Sequence, residues 1–186
     1  MTGRQIAFYV DTTRCINCRT CEIACKDAND AAVGVRIRRV RTLEGGEFPA
    51  VWAVNISMSC NHCEDPICLR SCPSRAYSKR ESDGAVVHDP ARCLGCRYCT
   101  WVCPYGAPQY DPGSGRIFKC NMCDGLVPAG EPPVCVTACP MRVIEVGPLS
   151  ELEIRKGATA VIRHLPSPSL TRPAARYKVR PEASSD

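Results

Sequence analysis

Aromatic residues are scarce in this chain of 186 residues, at 6%, with three phenylalanines and two tryptophans, and there are only three histidines. Leu, Ile, Val and Phe fill 37 positions, about a fifth of the sequence, close to the limit below which a conventional apolar core is too thin. No window approaches 18 consecutive apolar residues, so no membrane span is expected. The opening stretch MTGRQIAFYVDTT has neither the continuous apolar segment nor the small-residue cleavage site of a secretory leader, so the chain is expected to carry no export signal of its own. No activated nucleophile, paired acid or phosphate-binding loop stands out either, which argues against substrate chemistry. The length fits one domain or two small ones. Something besides apolar packing must hold them.

That something is cysteine, present 16 times. The cysteines form four sets of four: Cys15, Cys18, Cys21, Cys25; Cys60, Cys63, Cys68, Cys72; Cys93, Cys96, Cys99, Cys103; and Cys120, Cys123, Cys135, Cys139. Their spacings are C-x2-C-x2-C-x3-C, C-x2-C-x4-C-x3-C, C-x2-C-x2-C-x3-C and C-x2-C-x11-C-x3-C. In the last three sets proline follows the fourth cysteine, at Pro73, Pro104 and Pro140, whereas Lys26 follows in the first. Disulfides need an oxidising compartment, which the missing leader disfavours. Zinc is served by two knuckles and four ligands, leaving the third cysteine of each triple surplus. The run C-x2-C-x2-C-x3-C-P is instead the bacterial signature for [4Fe-4S] clusters, in which the fourth cysteine ligates the neighbouring cluster. Groups therefore work in pairs, and four groups predict four clusters.

The formal charge of +5 counts thiols as neutral. Four oxidised clusters at about −2 each would reverse that sign. The one basic run, Arg36 to Arg41, alternates with Val35, Ile37 and Leu43 and reads as an edge strand with a solvated basic face. No nucleic-acid partner is expected.

Short elements are expected between the cysteines. Ile6, Phe8 and Val10 alternate as a strand, 21–28 suits a helix carrying Cys25, and 35–43 and 51–56 suggest a strand pair turning at Gly45 and Gly46. Hairpins are expected around Ser82-Asp83-Gly84 and around Asp111 to Gly115. Helices are expected to start near Pro66 and Pro133, followed by a strand at 143–146 and a helix at 149–155. From Leu165 the sequence turns to Pro, Ser and Arg without periodicity, predicting an extended tail with its contacts on a partner.

The four-group pattern, the stretch Ser59 to Pro66 (SCNHCEDP), the stretch Cys96 to Tyr110 with its CPYGAPQY segment, and Cys139-Pro140-Met141-Arg142 closely resemble the iron-sulfur electron-transfer subunits of the dimethyl sulfoxide reductase family of molybdopterin oxidoreductases. The resemblance covers nearly the whole chain and extends to subunits of polysulfide, thiosulfate, nitrate and formate enzymes. It implies an α+β fold of two bacterial-ferredoxin-like two-cluster units, one inserted in the other. The outer unit would comprise 1–59 plus 118–164, the inner unit 60–117, and the extended tail 165–186.

It also implies the ligand sets. Cys15, Cys18, Cys21 and Cys139 would hold one cluster, and Cys120, Cys123, Cys135 and Cys25 its partner. Cys60, Cys63, Cys68 and Cys103 would hold a third, and Cys93, Cys96, Cys99 and Cys72 a fourth. Nitrate reductase relatives carry tryptophan where this chain has Cys96, leaving a three-iron cluster; the cysteine here predicts four complete [4Fe-4S] clusters. The implied role is non-catalytic: electrons pass from a quinol-oxidising membrane anchor subunit to a molybdopterin-containing catalytic subunit. The chain would be membrane-associated through these partners, at the periplasmic face through a partner's twin-arginine signal rather than the cytoplasmic face. The alternatives are an electron-transfer subunit of a related polysulfide, thiosulfate or formate enzyme, a free-standing polyferredoxin and, more remotely, a zinc-binding interaction module.

Among residues beside the ligands, Lys26, Arg70, Arg97 and Lys119 are candidates for raising cluster potentials. The competing expectation for them is solvated surface charge. His62 is either a donor to sulfur or a partly exposed loop residue, Trp101 is expected to pack, and His88 and His164 have no ligand context.

Overall fold

The computed structural model describes residues 5–184. It is a small mixed α/β structure of short strands and few helices. Strand β1 (Ile6–Asp11) is buried on both faces because neighbours cover each side. Phe8 and Val10 enter the main core, while Ala7 and Tyr9 meet Leu149, Leu152 and Ala174 on the other face. Helix α1 (Thr20–Ala28) carries Cys21 and Cys25 inward. Strands β2 (Arg39–Gly45) and β3 (Trp52–Met58) form an antiparallel pair with Arg39 opposite Met58 and Gly45 opposite Trp52. The buried Glu22 carboxylate accepts the Val40 N–H, tying α1 to β2.

Helix α2 (Ile67–Arg70) begins directly after Pro66, a residue suited to a first turn. The hairpin of β4 (Tyr77–Lys79) and β5 (Val86–His88) follows. Helix α3 (Tyr98–Val102) precedes the hairpin of β6 (Gln109–Asp111) and β7 (Arg116–Phe118). At that turn the Asp111 carboxylate accepts the N–H groups of Gly113 and Ser114. Helix α4 (Val134–Thr137) starts after Pro133, strand β8 (Ile144–Pro148) runs into helix α5 (Leu149–Leu152), and β9 (Ala158–Thr159) and β10 (Arg176–Lys178) complete the chain.

The central sheet has the order β8-β1-β10-β9. β8 lies antiparallel to β1, with Ile6 opposite Pro148 and Val10 opposite Ile144, while β10 lies parallel to β1. The early and late parts of the chain are thereby joined, and the three hairpins stand between them in sequence. Helix α1 packs against α4, and α2 packs against α3 and β4. Among the described residues no helix is long and apolar enough to cross a membrane.

Three expectations need correction. The strand expected at 35–43 starts only at Arg39, and Arg38, expected on a solvated face, is 2% exposed. Its neighbours Arg36 and Arg41 are exposed, so the alternation is real but its faces are not those of a simple edge strand. The helix expected at 149–155 stops at Leu152. The tail expected to extend away returns to the body through its described residues. Thr171 and Arg172 carbonyls accept the N–H groups of Asp65 and Glu64, the Ala174 N–H donates to the Asn61 carbonyl, and β10 joins β1. Small Ala174 and Ala175 allow this close approach, both being buried.

Tyr177 anchors that return, buried with its hydroxyl donating to Asn61 Oδ1 at 3.2 Å. Tyr177→Ala is expected to cost about 3–5 kcal/mol of stability. Tyr177→Phe, which loses only the hydroxyl, is expected to cost about 1 kcal/mol. Urea midpoints followed by circular dichroism provide the check, and an unchanged midpoint for Tyr177→Ala would mean the tail adds nothing to the core.

Candidate metal centres

All four C-x2-C knuckles make the same turn. The residue before the second cysteine is left-handed: Asn17 (φ 58°), His62 (φ 44°), Gly95 (φ 67°) and Met122 (φ 64°). This conformation is unfavourable for bulky side chains, but it turns a backbone N–H back onto the first sulfur. The N–H groups of His62, Gly95 and Met122 donate to Sγ of Cys60, Cys93 and Cys120, each at 3.4 Å. The Asn17 N–H does the same for Cys15.

The fourth cysteines differ among themselves. Cys72 and Cys103 lie past the ends of α2 and α3, each followed by a proline that bars further helix, and the N–H groups of Ala76 and Ala107 donate to Cys72 Sγ at 3.3 Å and Cys103 Sγ at 3.4 Å. Cys25 is followed by Lys26 and α1 continues to Ala28, so its neighbours' N–H groups stay in the helix. Its sulfur is approached instead by the Asn29 side-chain amide at 3.8 Å.

Cysteines from separate groups share cavities. One is lined by Cys60, Cys63, Cys68 and Cys103 together with Lys119, Tyr105 and Thr171, and its free space, mouth included, is about 360 Å³. A second, about 300 Å³ by the same measure, is lined by Cys15, Cys18, Cys21 and Cys139 with Ser57 and Met141. Cys25 is near enough to Cys120, Cys135 and Cys123 for their charges to oppose its ionisation, and Cys99 stands in the same relation to Cys93, Cys96 and Cys72. Among the described residues no three His, Cys, Asp or Glu side chains converge closely enough to share a single ion. The sulfurs surround spaces.

Burial dominates the acidity of these thiols. It pushes Cys63 and Cys68 up to about 12 and Cys120 to about 11, with neighbouring thiolates adding to the shift, and raises Cys25 further. Cys18 is exposed and lies below the ordinary value through the Thr20 hydroxyl. Cys72 is also lowered; burial acts against this, and the Ser74 hydroxyl and Ala76 N–H outweigh it. Packing four such thiols together favours the neutral form unless positive charge sits among them, and iron would supply that charge while displacing protons.

Two cations are already inside. Lys119 is 7% exposed; its Nζ donates to Cys60 Sγ at 3.4 Å, to the Cys120 carbonyl at 2.7 Å and to the Val86 carbonyl. It touches a cysteine sulfur and is buried, so the expectation of a solvated charge is wrong. Arg38, whose sequence surroundings point to solvent, is the other. Its guanidinium donates to Ser57 Oγ at 3.1 Å and Ser59 Oγ at 3.0 Å and rests 4.5 Å from the Phe8 ring centroid.

The remaining basic candidates point elsewhere. Lys26 Nζ donates to the Ala31 and Ala32 carbonyls, Arg70 pairs with Asp65 at the surface, and Arg97 lies over the Tyr110 ring. His62 is 1% exposed, so the loop-surface expectation is wrong. Its ring does not bond a sulfur either: Nδ1 accepts the Val86 N–H, and the contribution to sulfur comes from its backbone. Trp101, expected to pack, is 75% exposed.

Comparison with known proteins gives a consistent picture. The 4Fe-4S dicluster domain family matches residues 51–149. The chain is 44% identical to the B subunit of the anaerobic dimethyl sulfoxide reductase of Escherichia coli strain K12, with 97% of this chain and 91% of that protein covered. YnfG of the same strain, a probable anaerobic dimethyl sulfoxide reductase subunit, shows the same identity and coverage. The thiosulfate reductase electron transfer subunit PhsB of Salmonella typhi is 38% identical over 84% of this chain and 82% of its own length.

The position of Lys119 leads to a measurable consequence. If Cys60 holds an iron-sulfur centre, Lys119→Ala is expected to lower that centre's reduction potential, because it removes the charge that favours the electron-rich state. Arg97→Ala is expected to leave potentials unchanged. Redox titration followed by electron paramagnetic resonance checks both, and an unmoved midpoint in Lys119→Ala would refute the role.

Proposed function

This protein belongs to the family of iron-sulfur electron-transfer subunits of anaerobic dimethyl sulfoxide reductases, and on that premise we propose that it holds four [4Fe-4S] clusters as a relay inside a reductase complex. Its partners in this reading are a molybdopterin-containing catalytic subunit and a quinol-oxidising membrane anchor. The complex is proposed to face the periplasm, carried there with a partner bearing a twin-arginine signal. When bound, the clusters would supply one-electron transfer.

The observation that carries this reading is the meeting of cysteines from distant groups around one space: Cys15, Cys18 and Cys21 with Cys139, and Cys60, Cys63 and Cys68 with Cys103. It supports these two ligand sets. The mutual charge effects within Cys25, Cys120, Cys123 and Cys135, and within Cys72, Cys93, Cys96 and Cys99, favour the other two. The donors fit such a group, since N–H bonds aimed at sulfur and buried cations both suit an anionic cluster. The nested arrangement, 1–59 with 118–164 around 60–117, is supported by β8 pairing with β1 and α1 packing on α4, against α2 packing on α3.

The protein's own work is to hold the sulfurs, exclude water and set potentials. Cys18 and Cys96 are the exposed cysteines. Near them in sequence Ile16 and Ile23, and Leu94, Tyr98 and Trp101, leave apolar side chains uncovered. Such uncovered apolar surface suits contact with partner subunits at two points where electrons can enter and leave. The tail's contribution to a partner falls to outward residues such as Leu170.

Iron and acid-labile sulfide analysis of the purified protein is expected to give about 16 of each per chain, four cubanes' worth. Stoichiometric zinc without sulfide would sink the reading. Cys18→Ser and Cys139→Ser are further expected to perturb the same paramagnetic signal, and Cys68→Ser and Cys103→Ser a different shared one.

A further inference from the structure

We infer that Arg38 is the shared counter-charge of two neighbouring clusters, the one on Cys15, Cys18, Cys21 and Cys139 and the one on Cys25, Cys120, Cys123 and Cys135, and that it raises the reduction potential of both. This rests on the four-cluster reading above and adds a residue that no cysteine motif contains.

The case begins with a charge that has no acidic partner. Arg38 is fully buried, and among the described residues none of the ion pairs includes it. Two serine hydroxyls hold the ends of its guanidinium, while its Nε is buried without a hydrogen-bond partner. A buried cation matched only by neutral oxygens is costly. The negative groups acting on it are sulfurs: Cys135 and Cys120 most strongly, then Cys21 and Cys25.

The four sulfurs fall on two proposed sets. Cys25, Cys120 and Cys135 belong to one, Cys21 to the other. Contact with Cys21 is relayed: Ser57 Oγ accepts from Arg38 and lies 3.3 Å from Cys21 Sγ, so its own hydrogen is free to donate to that sulfur as a thiolate. Reduction adds negative charge to a cluster. A fixed cation beside it, shielded from water, favours the reduced form more than the oxidised one. Arginine suits this task because it stays charged when buried and its planar fork fits two hydroxyls at once.

Arg38→Gln and Arg38→Lys, made in the full chain and assembled as the wild type is, provide the test through iron and sulfide content and through redox titration followed by electron paramagnetic resonance. With clusters retained, Arg38→Gln is expected to lower two of the four midpoints, each enough to shift the oxidised-to-reduced ratio at fixed potential about tenfold, or about 59 mV for one electron. Arg38→Lys is expected to keep both midpoints near wild type. Four unmoved midpoints, or four that fall equally, would overturn the inference while leaving the four-cluster reading intact. If Arg38→Gln loses clusters that Arg38→Lys retains, the requirement is for charge and the inference stands. If both lose them, the role is one of shape and the inference fails. Wild-type protein without iron and sulfide would defeat the four-cluster reading itself.

Discussion

The two cavities lined by four cysteines each take their fourth from a loop distant in sequence, so neither space can close until two segments have met. Bringing such segments together costs chain entropy that grows slowly with separation. For Cys139 to reach Cys15, Cys18 and Cys21, the chain lays β8 along β1 in a five-residue antiparallel register and packs α4 on α1. For Cys103 to reach Cys60, Cys63 and Cys68, it packs α3 on α2. With leucine, isoleucine, valine and phenylalanine this sparse, the cysteines themselves serve as core: Cys21, Cys25, Cys60, Cys120, Cys135 and Cys139 all lie within the main apolar cluster. Where ligands meet only in the folded state, free energy of cluster binding is free energy of folding. That is how so thin an apolar core becomes sufficient.

Gathering thiols in the interior creates an electrostatic demand, met at two scales. Locally, the left-handed residue in each knuckle directs an N–H at the first sulfur, a partial charge supplied by backbone geometry alone. At longer range, Lys119 touches Cys60 through its ammonium group and the Cys120 carbonyl beside it, and Arg38 faces Cys135, Cys120, Cys21 and Cys25. Both cations would be anomalies in an ordinary core. Beside sulfur they are the expected complement.

The part of this that is legible in the sequence is the part fixed by local geometry. Cysteine spacing is a backbone property, and so are the turns at Ser82-Asp83-Gly84 and Asp111 to Gly115, where carboxylates accept nearby N–H groups. Lys119 is legible because it adjoins Cys120. Arg38 is not, because its burial is decided by Phe8, Ser57 and Ser59, which are remote in sequence, while its immediate surroundings alternate as an exposed strand would. The tail misleads for a related reason. Proline and serine hide any period, and nothing local reveals that Ala174, Ala175 and Tyr177 fit against β1 and Asn61.

The first and third cysteine groups are built alike on the approach to the helix and differ at the fourth cysteine. Asp11-Thr-Thr-Arg-Cys15 and Asp89-Pro-Ala-Arg-Cys93 each form a short 3-10 turn in which the aspartate accepts the N–H two residues on. Arg19 and Arg97 then take the same left-handed conformation ahead of α1 and α3. The copies diverge at the fourth cysteine. Pro104 ends α3 and frees the Ala107 N–H for Cys103, whereas Lys26 lets α1 run on and consumes the equivalent donors in helix bonds. Cys25 is left, among the described residues, with only the long contact from Asn29. Arg38 acts on that sulfur with a full charge in place of the missing backbone dipole.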